Sequence, residues 1–528
     1  MKRQPSSTRL VVAVACLTLA ACASGQSILQ AGYDATTSTK PAATATTAGA
    51  GGPPTTICLV QPCASTTTAG GAGPTGLSAA PGVTMVVAGN PDFATCPVDA
   101  LDSVDEPVHI TFWHAMQSAQ GEALVDLTNL YNASQDRVVV ELQNQNGYEE
   151  LIDKYFLASA EDRPNVVQMP EYMLQQMADA NTVITTSACV QAGAFDIAPF
   201  LPRAMFAYQT GGVQWAMPLN ISTPVLFYNK AMFEEAGLDP DRPPITLEEL
   251  RDYSQQIVDS GAATYGIALD AGANSGGAWF LEQWFARAGL PYADNDNGRT
   301  ARATQVLFDT PEGAELLTFA QDLVTDGLAA YVGEDPRGID GLLAMADQEQ
   351  PAAMTIASSG TLGGALAFVE GGGITGITAD DIGVGPMPGP SETPSATIGG
   401  AALYITRDLG DAEAAGAWDY IKFLVTAETQ SFFAAESGYA PVRTDATEIE
   451  PLVSIYAADP RFRVPYDQVN FAADDFTALG PVLGPMRQVR QATAQMMAAI
   501  YEGEDVQTSL TAAAEQANLQ LIDYANRN

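Results

Sequence analysis

The chain has 528 residues and sets 62 Asp and Glu against 23 Lys and Arg, a formal charge of −39. That balance excludes a nucleic-acid partner and direct electrostatic contact with anionic lipid. Two histidines, His109 and His114, leave no three-histidine metal site. No Walker, HExxH, GxSxG or CxxC pattern occurs.

Lys2, Arg3 and Arg9 precede the apolar run "LVVAVACLTLAA", too short to span a bilayer as a helix. Residues 1–21 therefore read as an export signal. Its end, "LAAC" (Leu19–Cys22), resembles the lipobox of bacterial lipoproteins, which implies cleavage before Cys22 and lipid on its sulfur. A plain secretory signal cut nearby is the alternative. No later stretch reaches about 18 apolar residues.

Residues 22–95 are dominated by Thr, Ala, Gly, Pro and Ser and bury too little apolar surface to offset ordering entropy. They read as a tether, with a reach on the order of 45 Å. Apart from Cys16 and Cys22, the cysteines are Cys58, Cys63, Cys96 and Cys189. An even set in an exported chain favours disulfides. Cys58 with Cys63 would close a small ring in the tether, and Cys96 with Cys189 would pin the start of the domain to its body. Other connectivities remain open.

Beyond the tether, strand and helix periods alternate. "VHITFW", "RVVVELQ" and "PNVVQMPE" are predicted strands, interleaved with predicted helices in "GEALVDLTNLYNAS" and "YEELIDKYFLASA". Thr246 and Glu249 stand at capping-box spacing, and Pro311 at a first helical position. The rhythm predicts α/β architecture, and some 430 residues suit two lobes better than one core. Ligands in such sheets sit at the carboxyl ends of strands.

The binding inventory is richer than the catalytic one. "MTIASSGTLGGAL" places Ser358, Ser359 and Thr361 between a strand and a helix start, where hydroxyls and backbone N–H groups would converge on an anion; a plain helix cap is the bland alternative. "NISTPVLFYNK" is a similar junction. Gly399 and Gly400 open "GGAALYI", where bare backbone can approach a ligand. From Phe476 to Tyr501 there is no acid at all, yet Arg487 and Arg490 stand there on one face of a predicted helix, Met486 to Ile500. An arginine reserved for an anion must not be neutralised by its neighbours. The histidines read as structural, and a two-carboxylate glycoside hydrolase is the remaining enzyme alternative.

"ITFWHAMQSAQGEALVDLTNLYNASQ", "NGYEEL", "PLNISTPVLFYNKAMFEEAGLDPDRPP", "TIASSGTL", "IGGAALYI", "ESGYAPV" and "LGPMRQVR" occur in collinear order. The series closely resembles the glycerol-3-phosphate-binding proteins of bacterial ABC importers, within the larger family of maltose-type extracellular solute-binding proteins. The resemblance implies a non-enzymatic, monomeric receptor with an α/β, two-lobed periplasmic-binding-protein (flytrap) fold of type II. It implies three hinge crossings, near Ser222–Thr223, Gly399–Gly400 and Tyr439–Pro441. Lobe 1 would comprise residues 96–222 plus 399–439, and lobe 2 residues 223–398 plus 440–528.

Carried over by position, the ligand pocket falls on Tyr148, Glu171, Ser222, Ser358, Gly400, Tyr439 and Arg490, with no cofactor or metal. Arg490 and the serines would hold a phosphate, and Glu171 would accept from glycerol hydroxyls. Arg487 has no counterpart. The resemblance further implies permease subunits as partners, glycerol-3-phosphate or a glycerophosphodiester such as glycerophosphocholine as ligand, and a lipid-anchored place on the outer face of the membrane. A sugar ligand is the alternative within the larger family. The family's tryptophan pair is missing: Ser275 and Ala278 stand near those places. Either the pocket is roomier, or Trp279 or Trp284 swings in to restore its wall.

Overall fold

The computed structural model describes residues 94–334, 339–373, 376–472 and 475–528. The export signal, Cys22, the Cys58–Cys63 pair and the tether up to residue 93 lie outside the described residues. In chain order the strands are β1 Val108–His114, β2 Val138–Asn144, β3 Val166–Pro170, β4 Val183–Ile184, the short hairpin β5 Gln209–Thr210 and β6 Val213–Gln214, and β7 Met217–Ser222. They continue as β8 Pro224–Asn229, β9 Tyr265–Leu269, β10 Ala329–Tyr331, β11 Ala352–Ser358, β12 Ile382–Pro386 and β13 Gly399–Thr406.

Two sheets result. The first has the order β2-β1-β3-β13-β4, with β7 also paired to β13. Its strands β1, β2 and β3 run parallel, and the helices Ser118–Ser134 and Tyr148–Leu157 connect them. Parallel neighbours need such crossovers, which is why the strand and helix periods alternate in the sequence. The second sheet has the order β10-β9-β11-β8-β12, with β8 antiparallel to both neighbours. β7 and β8 are buried at every position, which explains near-continuous runs such as "PVLFY".

The chain passes between the sheets three times. Thr223 alone joins β7 to β8, residues 387–398 lead from β12 back to β13, and Ala440 bridges to Ile221 before the chain moves on. A buried glutamine staples each passage. Gln468 donates to Thr223 Oγ1 (2.7 Å) and Pro224 O (3.0 Å) and accepts from Met387 N. Gln283 donates to Thr397 Oγ1 (2.6 Å) and accepts from Thr397 N (2.7 Å). Gln430 donates to Leu219 O and accepts from Val442 N. A side-chain amide both donates and accepts, so one residue satisfies backbone groups where the ladders break.

Local signals behave as physical chemistry requires, with one difference. Thr310 caps the helix that Pro311 opens. Thr246 caps the helix Leu247–Ser260, which ends at Gly261 in the left-handed region. The Glu249 carboxylate, however, accepts from Ile245 N (2.8 Å), one residue before the cap, and also bonds Arg242 and the Thr246 backbone.

Cys96 and Cys189 form a disulfide with Cα atoms 4.9 Å apart, tying the first described residues to the helix Thr186–Ala192. Replacing both cysteines by serine is expected to lower the unfolding free energy by about 4–5 kcal/mol, the closure entropy of a 93-residue separation. Urea unfolding checks this; an unchanged midpoint would show that the bridge stabilises nothing.

Candidate functional site

The helix Met486–Tyr501 packs against the helices Pro311–Thr325 and Val506–Arg527, on the side of the second sheet. Arg490 sits on its inward face with 4 % of its surface exposed. A bare buried guanidinium would be prohibitive, and it is not bare. Nε and Nη2 grip the Glu282 carboxylate at 2.8 Å each, and Nη2 also reaches Glu171 at 3.0 Å. The guanidinium lies over the Tyr172 ring, 4.9 Å from its centroid. Burial opposes the charge, but Glu282 and Glu171 together hold the group above its ordinary range.

This corrects the expectation that Arg490 is kept clear of acids. The acid-free stretch describes only sequence neighbours. Glu282 arrives from the helix Trp279–Arg287, and Glu171 from the end of β3 in the other sheet. The signal for Glu282 lay in "WFLEQWF", where a single acid interrupts an aromatic and apolar run that is buried almost throughout. A charge placed there needs a partner. Arg487 likewise reaches the first-sheet side, bonding Glu149 and, at 2.9 Å, Asp153 on the helix Tyr148–Leu157. Nη1 of Arg490 makes no hydrogen bond among the described residues.

Glu171 stands among tyrosines. Its carboxyl is pushed up by burial, against the pull of Arg490. Tyr148, at the start of its helix, and Tyr439, just past the helix Ala427–Ser437, interact with each other and face Glu171 and Asn220. Burial holds the Tyr148 phenol well above its ordinary value and pushes Tyr439 up to about 12, so both keep their hydrogens at physiological pH. Tyr439 also stacks on Phe433, with ring centroids 5.9 Å apart.

Ser222 ends β7, buried, opposite Gly399. Gly400 has φ +102°, and a Cβ there would come within 2.1 Å of Asn220 O. The close approach that demands glycine is therefore to β7 itself. Ser358 ends β11 opposite Pro224, and its hydroxyl accepts from Gly360 N (3.3 Å). The three hydroxyls of this turn do not converge as expected. Ser359 Oγ accepts from Thr223 N (3.2 Å), and Thr361 Oγ1 donates back to Ser358 O (2.6 Å). Both satisfy backbone groups opened where the strand breaks into the turn.

The two tryptophans stand in different places. Trp279 lies against the second passage, so close that a Cβ on Gly399 would come within 2.2 Å of its ring, and its Nε1 is buried without a partner. Trp284 instead donates to Pro388 O (3.0 Å), and Ser275 bonds Asp270. His109 is exposed; His114 is buried, and burial lowers it to about 4, so it stays uncharged.

Removing one partner of a buried ion pair strands the other. Glu282→Ala is expected to lower stability by roughly 3 kcal/mol, measured by urea unfolding at pH 7. A change below about 0.5 kcal/mol, the range of a surface substitution, would show that Glu282 is not what balances Arg490.

A family profile described as bacterial extracellular solute-binding protein matches residues 126–463. The sn-glycerol-3-phosphate-binding periplasmic protein UgpB of Pectobacterium atrosepticum is 28% identical over 443 residues, 81% of this chain and 95% of the relative. Among solved structures, UgpB from Mycobacterium tuberculosis in complex with glycerophosphocholine superposes with a TM-score of 0.66 at 22% identity, covering 80% of this chain and 100% of that one. The cyclic alpha-maltosyl-1,6-maltose binding protein from Arthrobacter globiformis gives 0.63 at 23%, covering 79% and 100%. With its two sheets joined by three passages and a charged, tyrosine-rich site between them, the chain has the two-lobed flytrap fold and belongs to the bacterial extracellular solute-binding protein family.

Proposed function

We propose that the protein is the receptor of an ABC importer and binds a glycerophosphodiester with a cationic head group, such as glycerophosphocholine, between lobes 96–222 plus 399–439 and 223–398 plus 440–528. One observation carries the reading. Arg490 is buried and fixed by Glu282, yet Nη1 keeps two N–H donors for a ligand. A fixed guanidinium is a natural fork for phosphate oxygens.

Charge ranks the phosphate ligands. One guanidinium faces two carboxylates, so a dianionic monoester such as glycerol-3-phosphate meets net repulsion. A diester carries one negative charge, and a quaternary ammonium brings its own compensation. Glu171 and the tyrosine hydroxyls suit the glycerol end, while Ser222, Ser358 and Gly400 complete the proposed pocket. The likeness to glycerol-3-phosphate-binding relatives supports the compound class. A sugar is the second reading, favoured by the neutralisation of Arg490 and by Trp279 at the second passage.

The proposal extends to the chain's placement. Lipid on Cys22 would anchor a monomer, the tether would let it move above the membrane, and permease subunits would receive the ligand.

Calorimetric titration tests the ligand. Glycerophosphocholine is expected to bind more tightly than glycerol-3-phosphate, maltose is expected not to bind, and Arg490→Ala should weaken the first by at least about tenfold, ~1.4 kcal/mol. Binding of maltose alone, or an Arg490→Ala protein of unchanged affinity, would transfer the assignment to sugars.

A further inference from the structure

Beneath the two tyrosines lies a buried chain of amides whose polarity admits one solution. Gln168 on β3 and Asn220 on β7 are both 0 % exposed. Gln168 Oε1 accepts from Ala115 N at 2.9 Å. A backbone N–H is always a donor, so the acceptor end of Gln168 is fixed and its Nε2 must point the other way. Nε2 donates to Asn220 Oδ1 at 3.0 Å. That in turn fixes Asn220, whose Nδ2 is left buried and without a protein partner of ordinary geometry. An unmade donor at such a depth costs about 1–3 kcal/mol and calls for a reason.

The register supplies its surroundings. Ala440 pairs with Ile221, which brings Tyr439 alongside the end of β7, and Tyr148 and Tyr439 lie beside Asn220. Gly400 allows β13 to close over the Asn220 carbonyl from the other side. The phenols of Tyr148 and Tyr439 interact with this amide.

We propose that Gln168 and Asn220 are positioning residues for recognition: the backbone-anchored relay Ala115–Gln168–Asn220 offers a donor to the phenolic oxygens of Tyr148 and Tyr439, so that the pair, which spends one hydroxyl hydrogen between its two rings, turns the remaining one toward the ligand. The inference rests on the cleft being the ligand site. A phenol whose oxygen already accepts must donate elsewhere. The relay thus leaves a hydroxyl donor on this wall of the cleft, selecting ligands that present an acceptor oxygen there, as a phosphodiester or a glycerol does. Glu171, which only accepts when ionised, stands on the opposite side of the same choice.

Asn220→Asp tests it, because it keeps the shape and replaces the donor by an acceptor. Glycerophosphocholine affinity should fall at least tenfold in the otherwise native protein and less than twofold when Tyr148→Phe and Tyr439→Phe are already present. Equal losses in both backgrounds, or no loss in either, would overturn the relay, since a merely structural asparagine would act without regard to the phenols. A second measurement needs no ligand. The Asn220 side-chain 15N–1H2 resonance of the ligand-free protein should shift when both phenols are removed; an unmoved resonance also overturns the proposal. Should none of the titrated compounds bind the native protein, the functional reading fails, while the resonance still decides whether the relay exists.

Discussion

Burying the charge of Arg490 is the constraint on which the site depends. A guanidinium that is 4 % exposed is tolerable only with hydrogen-bonding partners in contact, and here they are carboxylates. The two that serve it come from opposite sides of the cleft. Glu282 belongs to the helix Trp279–Arg287, in the part of the chain that carries the second sheet, and Glu171 follows β3 of the first. Glu282 grips the guanidinium with two hydrogen bonds that fix its plane. Glu171 contributes a single bond from the side of the first sheet. Arg487, one turn earlier, repeats the logic at the edge with Glu149 and Asp153, and Asp179 receives Arg302 and Tyr524 farther out. These ion pairs join cations of one side to anions of the other, and Arg490 is the buried member.

At the passages between the sheets, side chains make hydrogen bonds that the ladders no longer make. Thr223, the stretch before Gly399 and the segment at Ala440 each meet a buried glutamine, so the breaks in the ladders are filled by side chains. Glycine enters where space requires it: Gly399 under the Trp279 ring and Gly400 against the Asn220 carbonyl. The passages and the proposed pocket thus share residues. The same β7 that carries Asn220 toward the tyrosines ends in Ser222 and turns through Thr223 into the other sheet.

Much of this was legible in the sequence, because periodicity, caps and turn residues report local physics. The strands at Val108, Val138 and Val166 and the helices at Leu247, Pro311 and Met486 lie where their patterns put them. Long-range pairing was not legible. The acid-free setting of Arg490 is real along the chain and false in space, since Glu282 is 208 residues away. The serine turn misled for a related reason: Ser359 and Thr361 have hydroxyls of the right type, but the backbone needs them first. Asn220 was passed over because nothing in "PLNIS" tells that its amide is locked from behind by Gln168.

The account's central claim is that a ligand phosphate meets the free edge of a guanidinium held by Glu282. A crystal structure of the protein grown with glycerophosphocholine tests it most directly. The account predicts a phosphate oxygen within about 3 Å of Arg490 Nη1, the length of a charge-assisted hydrogen bond, with the Glu282 pair intact. A phosphate bound elsewhere, or an Arg490 that abandons Glu282 to reach it, would contradict the claim.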